Sequence, residues 1–118
     1  MFDLRNFSQS SIRATKMIPV GTYESVVTKV EWRDDYRENT VFEVFYELTS
    51  ADGKQYKHRE LFENKAGNHR TQEFVSYLLD NGIYHIEDFE GHQEEVEIRK
   101  DMRRGKTFSS ICKRTFLG

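Results

Sequence analysis

The sequence predicts a small, mainly β domain with one α-helix. Several segments alternate apolar and polar residues with the period of two that half-buried strands show. Asp52-Gly53 marks a hairpin between two of these segments, because this dipeptide readily adopts the positive φ angles of a tight turn. Residues 69–80 instead repeat apolar side chains at the three- and four-residue spacing of a helix. Together these patterns predict the fold class.

The predicted elements follow one another with short connections. Strand patterning covers residues 22–32, 40–48, 54–62, 94–100 and 107–116. The helix lies between the third and fourth strands, where Asn68 can cap its start and Gly82 can end it. Five strands with a helix in this position is the element order of the OB-fold, a Greek-key barrel that binds oligonucleotides. We therefore expect an OB-like barrel.

Composition limits the size and class of the protein. The 118 residues suit one domain with its own core. We expect an N-terminal arm over residues 1–18 and the barrel over residues 19–118, with Pro19 and Gly21 at the boundary. The net charge of −2 disfavours duplex-DNA binding, where a clearly basic domain is expected. Single-strand binding stays open, because a local basic groove and stacking are enough for it.

Cysteine usage and hydropathy point to a compartment. The single cysteine, Cys112, excludes an intrachain disulfide and suits a reducing environment. No apolar run approaches the roughly 18 residues of a membrane helix. The first residues lack the apolar core of a signal peptide. We expect a cytoplasmic protein without membrane contact.

Strict alternation also assigns side chains to faces. In the first strand it puts Lys29 on the face of Val27, and Trp32 on the face of Val30. We expect Trp32 in the core or at the barrel rim, with base stacking as the alternative. Cys112 is expected to be a small buried hydrophobe.

The second strand carries an aromatic on its outer face. Its two faces are Phe42-Val44-Tyr46-Leu48 and Val41-Glu43-Phe45-Glu47. Lys57 and Arg59 stand at matching positions on the third strand. An aromatic beside cations on a sheet surface suits single-stranded nucleic acid, because bases stack on the ring and cations follow the backbone. A second packed face is the competing interpretation.

The loops that would flank the groove are basic. Residues 80–97 contain acidic side chains and no Lys or Arg, whereas residues 99–114 are strongly basic. The loop between strands four and five borders the ligand groove of an OB-fold, so its cations would meet phosphates. A solvated turn is the alternative there. In the loop after the first strand, Tyr36 would stack a base or cover the barrel end. The predicted nucleic-acid site comprises Arg33, Tyr36, Arg37, Phe45, Lys57, Arg59, Arg103, Arg104 and Lys106.

Catalytic signals are weak. Carboxylates at Asp88, Glu94, Glu95 and Glu97 suggest a nuclease metal site, but successive strand residues point to opposite faces. The histidines lack the spacing of zinc ligands and are expected on the surface or in loops: His58, His69, His85 and His92. We predict a protein that is not an enzyme and that uses no cofactor or metal.

Four short motifs add a resemblance to a known family. They are Pro19-Val20-Gly21-Thr22-Tyr23-Glu24, Leu61-Phe62, Tyr77-Leu78-Leu79-Asp80-Asn81-Gly82 and Phe89-Glu90-Gly91. They resemble small single-stranded-DNA-binding proteins of bacterial phages and mobile elements, which are similar to OB-fold proteins. The resemblance spans residues 19–116 and implies protection or handling of single strands in DNA replication and recombination. The ending 115–118 lacks the long acidic tail of cellular bacterial single-strand binders, so the resemblance does not imply tail-mediated recruitment of repair enzymes.

The expected function is therefore binding of single-stranded DNA without sequence preference. The alternative is a protein–protein interaction or assembly module on the same barrel, with the groove occupied by a peptide or by a second copy. Homo-oligomerisation is open in both cases.

Overall fold

A computed structural model of the chain describes residues 17–34, 39–65 and 67–117. Its strands are β1 (Gly21–Asp34), β2 (Thr40–Thr49), β3 (Gln55–Glu63), β4 (Gln93–Arg103) and β5 (Lys106–Phe116). Helix α1 (His69–Asp80) and a 3-10 helix (Ile86–Phe89) lie between β3 and β4 in the sequence. The predicted mainly β class, with one α-helix after the third strand, is confirmed.

The five strands form one antiparallel sheet in the order β3-β2-β1-β4-β5. β1 is central because it pairs with both β2 and β4. Among the described residues, β3 and β5 remain the edges of the sheet, and no strand pairing joins them. Closure into a barrel therefore stays a prediction.

A β-bulge at Thr28 changes which face β1 presents. Val27 pairs with Tyr46 of β2, and the next paired residue is Lys29, opposite Phe45. Because Thr28 is an extra residue, the alternation of side chains shifts after it. Val27 lies in the core, whereas Lys29 shares the outer face with Phe45. The strict alternation predicted for this strand was therefore wrong.

The core lies between one face of the sheet and α1. Asn68 caps the helix by accepting a hydrogen bond from the Thr71 amide at 3.2 Å, and Gly82 follows the helix with φ of 78°. Phe74 of α1 stacks on Phe62 of β3 with ring centroids 3.9 Å apart. The predicted helix bounds and caps are confirmed, because each depends on local sequence.

The first described residues pack against the core. Ile18 is buried, and its amide donates to Ser109 Oγ at 2.8 Å. Residues 1–16 of the expected arm lie outside the described ranges. No helix in the described part of the chain is long and apolar enough to cross a membrane.

Three side chains differ from expectation. Trp32 is 55% exposed, although its cross-strand partner Phe42 packs against the core. Cys112 is exposed, since a bulge leaves it unpaired between Ile111, opposite Ile98, and Lys113, opposite Glu97. His58 is half-buried on the inner face of β3, where it neighbours Tyr46. The expectations of a buried Cys112 and a surface His58 were wrong. Trp32 does not lie in the core, and its place at a barrel rim stays a prediction.

Candidate nucleic-acid interface

The outer face of β1, β2 and β3 brings cations to both sides of an aromatic ring. Lys29 pairs with Phe45 across β1–β2, and Phe45 pairs with Arg59 across β2–β3. The Lys29 Nζ atom lies 5.7 Å from the centroid of the Phe45 ring. Phe45 is half-buried, so part of its ring faces solvent. We call Lys29, Arg33, Glu43, Phe45 and Arg59 the platform.

Glu43 ties the two arginines of the platform together. Its Oε2 accepts from Arg33 Nη1 at 2.7 Å, and its Oε1 accepts from Arg59 Nη1 at 3.0 Å. The Glu43 side chain is only 9% exposed, whereas those of Arg33 and Arg59 are 55% and 53% exposed. Each guanidinium donates one N–H group to the carboxylate and keeps other N–H groups near solvent. The trio carries one net positive charge.

Other side chains on this face set its charge and polarity. Lys29 Nζ forms an exposed ion pair with Glu31 at 2.7 Å, and the bond to Glu31 raises the pKa of Lys29. Lys57 is exposed opposite Glu47 and forms no ion pair within the described ranges. Val26 and Leu61 are exposed apolar residues on the same face. The surface therefore mixes cations, an aromatic ring and apolar contacts.

The β4–β5 hairpin forms a second basic region at its tip. Arg104 and Gly105 have φ angles of 51° and 75°, as a two-residue turn with positive φ at both central positions requires. The strands continue to Arg103 and Lys106, so the basic turn predicted over residues 101–106 is mostly strand. Arg104 and Lys106 are exposed and form no ion pair among the described residues.

The predicted site residues therefore form separate groups. Arg33, Phe45, Lys57 and Arg59 share the outer face of β1–β3. The tip residues Arg103, Arg104 and Lys106 lie beyond Ile98, which pairs with Gly21 at the start of β1. The platform lies further along β1, so these groups are not adjacent within the sheet. Tyr36 and Arg37 lie outside the described residues.

Sequence reasoning missed the roles of Lys29 and Glu43. Lys29 was placed on the face of Val27, because nothing in strict alternation anticipates the bulge at Thr28. The three-residue spacing of Val27 and Val30, both in contact with the core, is the signal that was available, since residues on one face of a regular strand lie an even number of positions apart. Glu43 was assigned to the correct face, but its partners lie on two other strands and cannot be identified from local spacing.

A buried charged cluster lies on the opposite, inner face. Arg114 of β5 forms an ion pair with Glu60 of β3, and its Nη1 donates to Tyr46 Oη at 3.0 Å and contacts Glu94 at 3.5 Å. Arg70 Nη2 of α1 binds Glu60 at 2.5 Å. Because all these charges have partners, the cluster is suited to holding strands together.

Burial and ion pairing together shift the pKa values of the carboxylates in this cluster. Burial alone would raise the pKa of Glu60, but the guanidinium groups of Arg114 and Arg70 outweigh it and lower that pKa. For Glu94 burial dominates, and its pKa is raised despite Arg114. A cavity of about 210 Å³ lies beside the cluster, between β3, α1 and β5. Paired charges line it, including Glu60, Arg70 and Arg114.

Neither metal-ligand groups nor known relatives assign a chemical activity to this chain. Within the described residues, no group of three or more His, Cys, Asp or Glu side chains could hold a metal ion. No known protein-family model matches this chain, and no curated protein sequence matches it either.

Proposed function

We propose that this protein binds single-stranded DNA without sequence preference, with the platform as its principal contact surface. The observation that carries the proposal is the cross-strand row of Lys29, Phe45 and Arg59. Single-strand binders combine cations that follow the phosphate backbone with aromatic rings on which bases stack. This row supplies both on one solvent-facing surface, and the stacking of bases is tolerant of sequence.

The proposal includes an OB-like barrel. The order β3-β2-β1-β4-β5 supports it, because bringing β3 against β5 would close the sheet into a ring. The contact between Arg114 and Glu60 supports it too, since these residues belong to the two edge strands. OB-folds bind oligonucleotides on the face of strands two and three, with the loop between strands four and five at the border. In a closed barrel of this kind the platform would lie on that face, and the hairpin tip would be the four-five loop.

The tip would provide a second contact, to the backbone alone. Arg104 and Lys106 are exposed cations without ion-pair partners in the described part of the chain. Phosphates attract such side chains, and the resulting release of counterions makes binding depend on salt. Handling of single strands during phage or mobile-element replication and recombination is the role that fits this proposal.

A titration tests the proposal directly. Purified full-length protein would be added to a labelled thymidine oligonucleotide, with anisotropy recorded at about 50 and about 200 mM salt and Trp32 fluorescence followed in parallel. We expect binding that weakens as salt increases. An oligonucleotide duplex of the same length is the control, and we expect it to bind more weakly. Absence of binding to the thymidine strand at the lower salt concentration would overturn the proposal.

An assembly module on the same fold is the competing proposal. The exposed apolar side chains of Val26 and Leu61 on the outer face favour it. Val41, which the sequence placed on that face, is 6% exposed and so is little available to a partner. Light scattering without DNA separates the proposals, because a second copy on this face would form a dimer that DNA must displace.

A further inference from the structure

We infer that Glu43 is a positioning residue, which holds the Arg59 guanidinium away from the Phe45 ring and keeps that ring open to a base. The inference rests on the proposed function, because it assigns a role within the same surface. Glu43 would thus aid DNA binding, although its negative charge repels the phosphates.

The strand register gives Arg59 a choice between two neighbours. Arg59 pairs with Phe45 across β2–β3, whereas Glu43 pairs with Leu61 one row away on the same face. Directly opposed side chains on neighbouring strands are close enough to interact, and an arginine stacks readily on an aromatic ring. Arg59 instead binds Glu43 Oε1 through Nη1 at 3.0 Å. Its guanidinium therefore leans along the sheet, towards Glu43.

The geometry of Glu43 suits this role. Its two oxygens are divided between the arginines, with Arg33 on β1 and Arg59 on β3, so the carboxylate is held from both sides. The Glu43 side chain is nearly buried, and charge-assisted hydrogen bonds to such a group are stronger than exposed ion pairs. In the described structure, Lys29 is the cation over the Phe45 ring, and it lies 5.7 Å from the centroid. That distance is near the limit of a cation–π contact.

The negative charge of Glu43, considered alone, predicts the opposite change in affinity. The test can therefore separate the two explanations. A carboxylate on a DNA-binding surface repels phosphates, so removing it should strengthen binding. If Glu43 positions Arg59, removing it should weaken binding, because the freed guanidinium would cover Phe45 and compete with the base. The two interpretations therefore differ in the sign of the effect.

Glu31 supplies a matched control. It pairs with Glu43 across β1–β2, carries the same charge and contacts Lys29 instead of an arginine. We expect Glu31→Gln to bind a labelled thymidine oligonucleotide about twofold more tightly, the effect of one unit charge about 8 Å from a phosphate in water. We expect Glu43→Gln to bind about fivefold more weakly, the lower end for loss of one stacked base. Equal tightening by both variants would overturn the inference.

A second pair of variants tests the route through Arg59. In an Arg59→Ala background no guanidinium can cover the ring, so E43Q/R59A should bind more tightly than R59A, by about twofold as for Glu31→Gln. Weaker binding of the double variant would show that Glu43 does not act through Arg59. Circular dichroism of each variant checks that it is folded before affinities are compared.

The inference and the proposed function fail in different ways. If the wild-type protein does not bind the oligonucleotide, the proposed function fails. If the wild type binds, and Phe45→Ala weakens that binding, the proposed function survives. Tightening by Glu43→Gln would then overturn the positioning role alone.

Discussion

The guanidinium of Arg114 on β5 forms an ion pair with the carboxylate of Glu60 on β3, which joins the two edge strands of the sheet. The side chains are 12% and 3% exposed, so both charges are largely removed from water. Arg70 Nη1 also donates to the Leu61 carbonyl at 2.9 Å, which occupies a backbone acceptor of β3. Side chains thus connect two strands that no backbone ladder joins within the described ranges.

We expect Arg114→Met to destabilise the protein severely. Breaking a buried ion pair by removing one partner typically costs about 3–5 kcal/mol, because the remaining charge is left buried without compensation. Here Glu94 would lose its only cation in the described structure, while Glu60 would keep Arg70. Urea unfolding measures the loss of unfolding free energy.

The exposed pair of Arg99 and Asp101 is the control for Arg114→Met. These side chains are 60% and 33% exposed, so Arg99→Met should change the unfolding free energy by less than about 1 kcal/mol. If both methionine variants unfolded at the same urea concentration, the connection between β3 and β5 would contribute little to stability.

His58 should make stability depend on pH. Burial lowers the pKa of its imidazole from the usual value near 6.5, although Glu60 opposes this, and its Nε2 has no hydrogen-bond partner. The folded state therefore prefers the neutral ring, and the unfolded chain takes up the proton first. Stability is complete above the unfolded pKa near 6.5 and decreases in the pH window below it. Thermal unfolding at several pH values measures this decrease.

Two histidine variants separate this effect from general acid sensitivity. His58→Gln should flatten the dependence of the melting temperature on pH in that window. His85→Gln is the matched control, because it makes the same substitution at an exposed histidine outside the sheet. An unchanged slope in His58→Gln would exclude His58 as the titrating group.

Phe45→Ala should weaken binding of single-stranded DNA without changing its salt dependence. Base–aromatic stacking contributes about 1–3 kcal/mol per base, which corresponds to an affinity loss of about 5- to 150-fold. No charge is removed, so the number of counterions released should stay constant. Anisotropy titrations at several salt concentrations measure both quantities.

Tyr84→Ala is the control for the loss of an aromatic. Tyr84 is 74% exposed in the loop between α1 and the 3-10 helix, and it does not belong to the platform. Its removal should leave affinity unchanged. If the two alanine variants lost affinity equally, Phe45 would not be a specific stacking site.

The hairpin tip should contribute to salt dependence. In R104A/K106A, loss of two phosphate contacts should reduce the slope of log affinity against log salt by about 1.4. The charge-conserving variant R104K/K106R should retain the wild-type slope, because each position keeps its cation. A wild-type slope in R104A/K106A would show that the tip does not contact the backbone.

Elements that depend on nearby residues were predicted from the sequence. The turn at Asp52-Gly53 and the Asn68 cap involve residues a few positions apart, so residue type and spacing are enough to identify them. The alternation in β2 likewise placed Phe45 and Glu43 on one face, because no bulge interrupts its pairing with β3. The hairpin predicted Lys57 and Arg59 beside Phe45, and the register sets Arg59 directly opposite it.

The tertiary structure decided what depends on residues distant in the sequence. The bulge at Thr28 is defined by the register against β2 and moves Lys29 to the outer face. Glu60 and Glu94 lie on different strands and are both buried, and Arg114 reaches them from β5. Local patterning by itself determined the elements and the faces of regular strands. Register and charge pairing between strands determined which of these side chains meet, because the energy of a buried charge depends on its partner in space.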